Sequence, residues 1–355
     1  MSDDAVNKIE VSKILTMPEL TVTPSNATNL SSAGTANCYI AAPNGFYTIK
    51  VNTKGNSAAP GDAINPSSVK LLWNTGVSSD EVIGLLQDVT SEGTVNFTTN
   101  RAGNAVIAAY DNLDPESPSA NILWSWHIWV TDYDPNNAAG QCSYDGRGTM
   151  MDRNLGALSN TGSSDNNYVD DFGLLYQWGR KDPFIGAGSR REGNTDFAPT
   201  YPPTWPLPVT TTLGMNYAIQ HPQVFLCGWA SAMSSFSPDP WSSTKTIYDP
   251  CPAGWRVPDG GNDSVYEIFI NSANGWDNKG RTYNNGSIPT WYPAAGRRSE
   301  STGYLESVGS SGSYWSCSLY NPNYPYYLKF DNTNSNRDYS GVGYGMSVRC
   351  QKEFD

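Results

Sequence analysis

The chain has 355 residues, a formal net charge of −12 and only 16% charged residues. That length leaves room for two domains and a sizeable core. The acidic balance argues against nucleic acid or anionic membrane as partner, since both need basic patches, and no apolar run reaches the ~18 residues of a membrane span.

Gly (33), Pro (24), Tyr (21) and Trp (12) are plentiful, so short strands and irregular segments are expected in place of long amphipathic helices. The opening MSDDAVNKIE has no charged-then-apolar signal segment. A leader that was removed and replaced by a starting Met suits the rest of the sequence better than retention inside the cell. Six dispersed cysteines (Cys38, Cys142, Cys227, Cys251, Cys317, Cys350) show no CxxC spacing, which disfavours a zinc site. They fit an oxidising compartment with one or more long-range disulfides.

Residues 1–11 read as a loose polar end. From about 12 to 120 the pattern is all-β, with strand-like runs at LTVTP, NCYIAA, FYTIKVN, SVKLLWNT, TVNFTTN and NAVIAAYD. Turn signals such as Pro43-Asn44-Gly45 and Lys54-Gly55-Asn56 separate them. Short strands at this spacing predict a β-sandwich of immunoglobulin-like type. The proline-containing stretch from Asp111 to Asn121 reads as a linker, and an α+β domain is expected over 121–355.

ILWSWHIWVTDYD opens that second domain as an apolar strand. His127, inside this aromatic strand, reads as a packed core histidine and not as a catalytic base, and His221 in QHPQ has no stronger claim. DFGLLYQWGRKDPF predicts a short helix, with Phe172, Leu175 and Tyr176 on one face and Gly179 capping its end. Residues 186–245 read as irregular. Ser264-x-x-Glu267 predicts a capping box opening a second helix, whose buried stripe is Val265, Ile268 and Phe269.

The stretch from Ser311 to Cys350 is organised to meet a partner. Between Ser311 and Gly345, 20 of 35 residues are Tyr, Asn, Ser or Asp, yet Trp315, Leu319, Leu328, Phe330, Val342, Met346 and Val348 punctuate the run. In YYLKFD, Leu328 and Phe330 alternate with Tyr327, Lys329 and Asp331, the period of a half-buried strand. Short core strands are therefore expected to hold up a surface of Tyr, Asn and Ser, residue types that antibody paratopes use for rigid contact area and adaptable hydrogen bonds.

DPCPAGWRVP (Asp249 to Pro258), GSYWS (Gly312 to Ser316) and the ending GMSVRC (Gly345 to Cys350) resemble the C-terminal domain of fibrobacter-type major paralogous proteins. That resemblance implies a C-type-lectin-like fold. GNAVIAAYD, ILWSWHIWVTD, MMDRNLGAL and FGLLYQWGRKDPF are similar to segments of fimbrillin-associated surface proteins of gut commensal bacteria. Ser311–Gly345 resembles the variable region of target proteins of diversity-generating retroelements, in which asparagine codons are converted to Tyr, Asp, Ser and similar residues. Tyr320, Asn321, Asn323, Tyr324, Tyr327, Asn332, Asn334, Asn336, Asp338, Tyr339 and Tyr344 match the varied positions. With Ser318, Lys329 and Asp331 they make up the expected ligand-binding set, over a framework of Trp315, Leu328, Phe330 and Val348.

The resemblance also implies a disulfide between Cys251 and Cys350. Cys317 stands where such sequences usually carry Ser, so it is either a diversified position or a partner for Cys227; Cys38 and Cys142 read as buried thiols. Sugar binding through calcium is not expected, because Asn321-Pro322-Asn323 lacks the carboxylate a hard cation prefers and Ser-Pro238-Asp239 has Ser where Gln would be. The acidic run Asp165-Asn166-Asn167 to Asp170-Asp171 has neither EF-hand spacing nor its central glycine and reads as solvated loop carboxylates. No cofactor is predicted.

The resemblance implies a cell-surface or pilus-tip adhesin. Its ligand would be a protein or glycan on a host, bacterial or phage surface, and pilus subunits would meet its first domain. The alternatives are a structural pilin-like subunit without a ligand and, from the shared fold, an oxidase like formylglycine-generating enzymes using Cys317 and Cys227. No base, metal cluster or activated nucleophile accompanies those cysteines in the sequence, so the chain is not expected to be an enzyme.

Overall fold

The computed structural model describes residues 26–56, 62–76, 80–162, 168–187, 209, 213–229, 236, 239–270, 275–277, 279–284 and 289–353. The LTVTP run, the loose end and Asp165-Asn166-Asn167 lie outside them. The protein is rich in strand, and helices are few and short. Among the described residues no helix is long and apolar enough to cross a membrane.

The first eight strands are β1 (Thr28–Asn29), β2 (Cys38–Ala41), β3 (Phe46–Lys50), β4 (Ser68–Asn74), β5 (Ile83–Leu86), β6 (Thr94–Thr99), β7 (Gly103–Tyr110) and β8 (Ile122–Val130). They form two four-stranded sheets, β1-β3-β6-β5 and β2-β8-β7-β4. Side chains of both sheets, among them Ile49, Val95, Phe97, Ile107, Trp126 and Ile128, share one core. Asn44 adopts φ 56° in the β2–β3 turn, a left-handed conformation that asparagine tolerates better than most residues.

The expected boundary at 120/121 falls one strand too early. β8 pairs with β7 along nearly its whole length and with β2 in parallel, so the sheet runs on to Val130. The reason is double burial. Trp124, Trp126, Ile128 and Val130 face the sandwich core, whereas Trp129 faces a second core together with Trp178, Trp229, Trp241, Trp255 and Trp315. Cys38 of β2 and Val106 of β7 join that second core, so the two parts of the chain share it. Polar bonds reinforce the junction: Asn37 Nδ2 donates to Ile247 O (2.7 Å) and Asp249 O (2.8 Å), and Ser125 Oγ donates to Asp182 Oδ1 at 2.6 Å.

The remaining elements are β9 (Gln141–Tyr144), β10 (Gly148–Met151), β11 (Leu175–Gln177), α1 (Met215–Gln220), β12 (Trp255–Arg256), α2 (Val265–Ile268), β13 (Gly280–Tyr283) and β14 (Thr290–Pro293). They continue as β15 (Arg297–Arg298), β16 (Leu305–Glu306), β17 (Gly312–Asn321), β18 (Tyr324–Phe330), β19 (Ser335–Tyr339), β20 (Gly345–Ser347) and β21 (Gln351–Lys352). The central sheet has the order β16-β15-β20-β17-β18-β19, with β11 also paired to β20. A smaller sheet, β12-β21-β10-β9, holds the end of the chain. Cys251 and Cys350 are joined in a disulfide with their Cα atoms 6.1 Å apart, which ties the approach to β12 to the approach to β21.

Two helix expectations need correction. The segment around Phe172 to Tyr176 is not a helix: Leu175–Gln177 is strand β11, antiparallel to β20, and Gly179 (φ 82°) follows a strand. Every residue from 171 to 187 is buried, so the apolar spacing had no polar face to contrast with. The second helix starts after Ser264 as expected, but the capping box does not form. Ser264 makes no side-chain cap bond, and the Glu267 carboxylate pairs instead with Arg337 at 2.6 Å. In the stretch expected to be irregular, α1 forms and places Ala218 in the second core.

Candidate functional site

The hairpin β17–β18 and the edge strand β19 carry most of the expected binding residues. At its base the hairpin is covered on both sides. Trp315 and Tyr327, opposed across the ladder, face the second core. Tyr314, Leu328 and Phe330 face a third core with Tyr266, Phe269, Tyr283 and Tyr292. Buried polar groups are paired there: Trp315 Nε1 donates to Tyr176 O (2.8 Å) and the Tyr314 hydroxyl to Pro293 O (2.6 Å). Gly312 is required because a Cβ at this position would collide with the Phe330 ring.

Beyond this base the ladder loses its regular register, between Trp315 and Leu319 and again between Leu319 and Asn321. Such irregularities twist a strand and re-aim its side chains. Here the hairpin emerges from the core. Tyr320, Tyr324 and Tyr339 are 51%, 43% and 47% exposed, unusual for large rings and so informative. The rings of Tyr320 and Tyr339 stack with centroids 4.1 Å apart and planes 8° apart. Tyr324 leans on Tyr339 at 5.9 Å, and Tyr326 meets Tyr320 edge-on at 5.6 Å. Arg337 lies over the Tyr326 ring at 4.7 Å, its charge paired with Glu267 and one nitrogen donating to Asn262 Oδ1 at 2.8 Å.

Residues opposed across an antiparallel ladder share a face. By that register Tyr326 and Tyr339 lie on one face, and Tyr327 with Asp338 and Lys329 with Asn336 on the other. The expected set is therefore divided. Tyr320, Tyr324 and Tyr339 come together, with Asn321 and Asn323 in the adjoining β17–β18 turn, where Asn321 Oδ1 accepts the Asn323 N–H at 3.0 Å. Ser318 sits below them, its hydroxyl accepting the Gly260 N–H at 3.0 Å. Lys329, Asn336, Asp338 and Tyr344 belong to the opposite side, where Lys329 approaches Asp338 at 3.9 Å and Arg297 covers Tyr344 at 4.1 Å. Asp331, Asn332 and Asn334 form the turn at the other end of β18, about 16 Å along the strand from Tyr326. Asp331 Oδ1 accepts from the Thr333 hydroxyl and from the Thr333 and Asn334 N–H groups, which holds its carboxyl below the usual range, the Thr333 hydroxyl contributing most.

Tyr327 is not a surface residue. It is 3% exposed, packs edge-on against Trp315 at 5.9 Å and donates to Asp338 Oδ2 at 3.4 Å. Burial, with Asp338 nearby, pushes its phenol up. Tyr326 is the residue the expected set missed. The signal for it was the strand period itself, because Tyr326 is two residues from Tyr324 and shares its side of β18.

The cysteine expectations separate as well. Cys227 and Cys317 are both free, so the suggested bond between them is absent. Cys317 is buried, its sulfur 3.5 Å from Asp259 Oδ1 and its thiol pushed up chiefly by burial. A thiol so held is a poor nucleophile. Cys38 and Cys142 are buried free thiols. Asp171 is also buried and accepts from Ser159 and from the Gly162 N–H. No group of three or more potential metal-ligating side chains occurs among the described residues.

His127 lies 2% exposed at the junction of the two parts, with Nε2 2.9 Å from Asn104 Oδ1. Burial lowers its pKa from 6.5 to about 3. Between those values the unfolded chain holds one more proton than the folded one. Stability therefore falls as pH drops from 6.5 towards 3, by up to about 1.4 kcal/mol per pH unit. Denaturant midpoints at pH 7 and pH 5 are expected to differ less in His127→Gln than in the parent. Equal differences would count against this role.

In comparisons with known proteins, no family model matches the chain, and no curated protein or solved structure matches it.

Proposed function

We propose that this chain is a cell-surface or pilus-tip adhesin whose ligand is held, without covalent chemistry, on Tyr320, Tyr324, Tyr326 and Tyr339. The supporting observation is the exposed, mutually stacked group of rings at the emergent end of a hairpin whose base is locked between two cores. Large aromatic surface preorganised in this way loses little freedom on binding. Asn321 and Asn323 in the adjoining turn supply adaptable donors and acceptors.

In this reading the second part of the chain is a C-type-lectin-like domain and the first an immunoglobulin-like sandwich that joins it to a pilus. The disulfide beneath the central sheet and the motifs GSYWS and GMSVRC support the lectin-like assignment. The same disulfide supports an extracellular location. Retroelement diversification of 311–345 is part of the proposal, with its functional weight on the positions gathered at the tyrosine end. The chain is not an enzyme in this reading: Cys317, one of the two sulfurs that such an oxidase would use, is a buried thiol whose pKa burial raises.

The test uses labelled protein screened against arrays of glycans and of surface proteins. A ligand retained by the parent is expected to bind at least about 30-fold more weakly to Tyr320→Ala/Tyr339→Ala, the loss associated with a hot-spot pair. Lys329→Ala/Asn336→Ala, on the other face, is expected to keep binding. Undiminished capture by the tyrosine variant would reject the assignment.

A further inference from the structure

We propose that a cleft beside β2, remote in sequence from the tyrosine hairpin, receives a lysine or arginine side chain presented by a partner protein. The cleft encloses about 380 Å³, within the size range of small-ligand sites. It lies where the sandwich meets the second part of the chain. Leu30 and Ile40 from the first and Ala253 from the second give it apolar walls, and the loop following β8 completes it. Ile40 is only partly buried, although it packs on the second core, so the wall is reachable.

That loop places Asp132 and Asp134 at the cleft, both exposed, on either side of Tyr133, which is buried. The Asp134 carboxylate is oriented: its Oδ1 accepts the Asn136 N–H at 2.8 Å, leaving the second oxygen for a ligand. Neither aspartate has an ion-pair partner among the described residues. Arg153, which lies over the Tyr133 ring at 4.1 Å, is already paired with Asp152 at 2.8 Å. The site thus joins apolar walls to carboxylates that no described residue pairs.

Lysine and arginine match that combination. Their methylene stems pack on apolar surface while the charged head reaches polar groups beyond it. A wholly apolar side chain would leave the carboxylates unmatched, and an anionic one would be repelled. The chain's net charge of −12 also favours approach of a basic partner. This inference concerns a second surface and does not depend on what the tyrosine cluster binds.

The experiment titrates the full chain with Nα-acetyl-lysine methylamide and with its norleucine counterpart, which has a similar stem and no charge, following the loop and β2 amides by NMR. The lysine compound is expected to bind about two- to fivefold more tightly, the effect of an exposed ion pair. Raising salt from about 0.1 M to about 1 M, which shortens the screening length from about 10 Å to about 3 Å, is expected to erase the advantage. Asp132→Asn/Asp134→Asn is expected to erase it too, whereas Asp132→Glu/Asp134→Glu retains it and keeps the test valid should the first variant fold poorly. Equal binding of the two compounds, or an advantage that survives the asparagine substitutions, overturns the proposal. The source is decided by cadaverine: an extended lysine peptide that binds more tightly than this free diamine supports a protein partner, and the reverse order overturns that assignment.

Discussion

Tyr327→Ala is expected to destabilise the chain by about 3 kcal/mol, the usual loss when a large aromatic side chain is cut from a packed core. Its ring is 3% exposed and packs on Trp315, so alanine leaves a void between the hairpin and the second core. Tyr320→Ala/Tyr339→Ala removes two exposed rings and is expected to change stability by less than about 1 kcal/mol. Denaturant midpoints measured in parallel separate the two cases. The three tyrosines Tyr320, Tyr324 and Tyr327 thus do not form one functional group: the first two contact solvent, and the third holds the frame. Losses of similar size for Tyr327→Ala and the double variant would contradict this division.

Removing the disulfide should have a comparable effect. Cys251 and Cys350 are 99 residues apart in sequence, and closing a loop of that size stabilises a fold by about 4–5 kcal/mol in the chain-entropy model. The bond also fixes a stretch on which neighbouring strands depend: the Cys350 carbonyl accepts the Met151 N–H at 2.9 Å, and β21 lies between β12 and β10. Cys251→Ser/Cys350→Ser is expected to lower the denaturant midpoint by an amount corresponding to about 4 kcal/mol. Adding reductant to the parent should reproduce the shift. An unchanged midpoint in the serine variant would show that the bond does not constrain the fold.

Most of the first eight strands were legible because their apolar residues alternate or run between clear turn signals, as in FYTIKVN and TVNFTTN. Legibility fails at three places where a segment is covered on both sides, although β2 and β7, covered in the same way, are legible as strands. In β8, ILWSWHIWV is buried on its two faces by two different cores, so its apolar run could not say to which sheet it belonged. The segment containing β11 is wholly buried, and its helix-like apolar spacing belongs to a strand. Tyr327 is the same case in the hairpin. Leu328 and Phe330 face inward as their alternation predicts, but the same alternation sends Tyr327 outward, whereas a second core covers that side. Nothing in the local pattern reports a core contributed by Trp178 or Trp241, residues more than 80 positions away. The tyrosine cluster is partly legible because Tyr320 follows the framework residue Trp315 along β17 and Tyr324 precedes the framework residues Leu328 and Phe330 along β18.

The stacked pair has a further consequence. Tyr320 extends from β17 and Tyr339 from β19, two strands separated in the sheet by β18, so each ring is the other's nearest platform. A change at either position alters the environment offered to its counterpart. If this surface is varied in nature, the two positions are not independent letters of an alphabet. Pairs of residues that support one another are the selectable units, and the usable repertoire is smaller than the product of its parts.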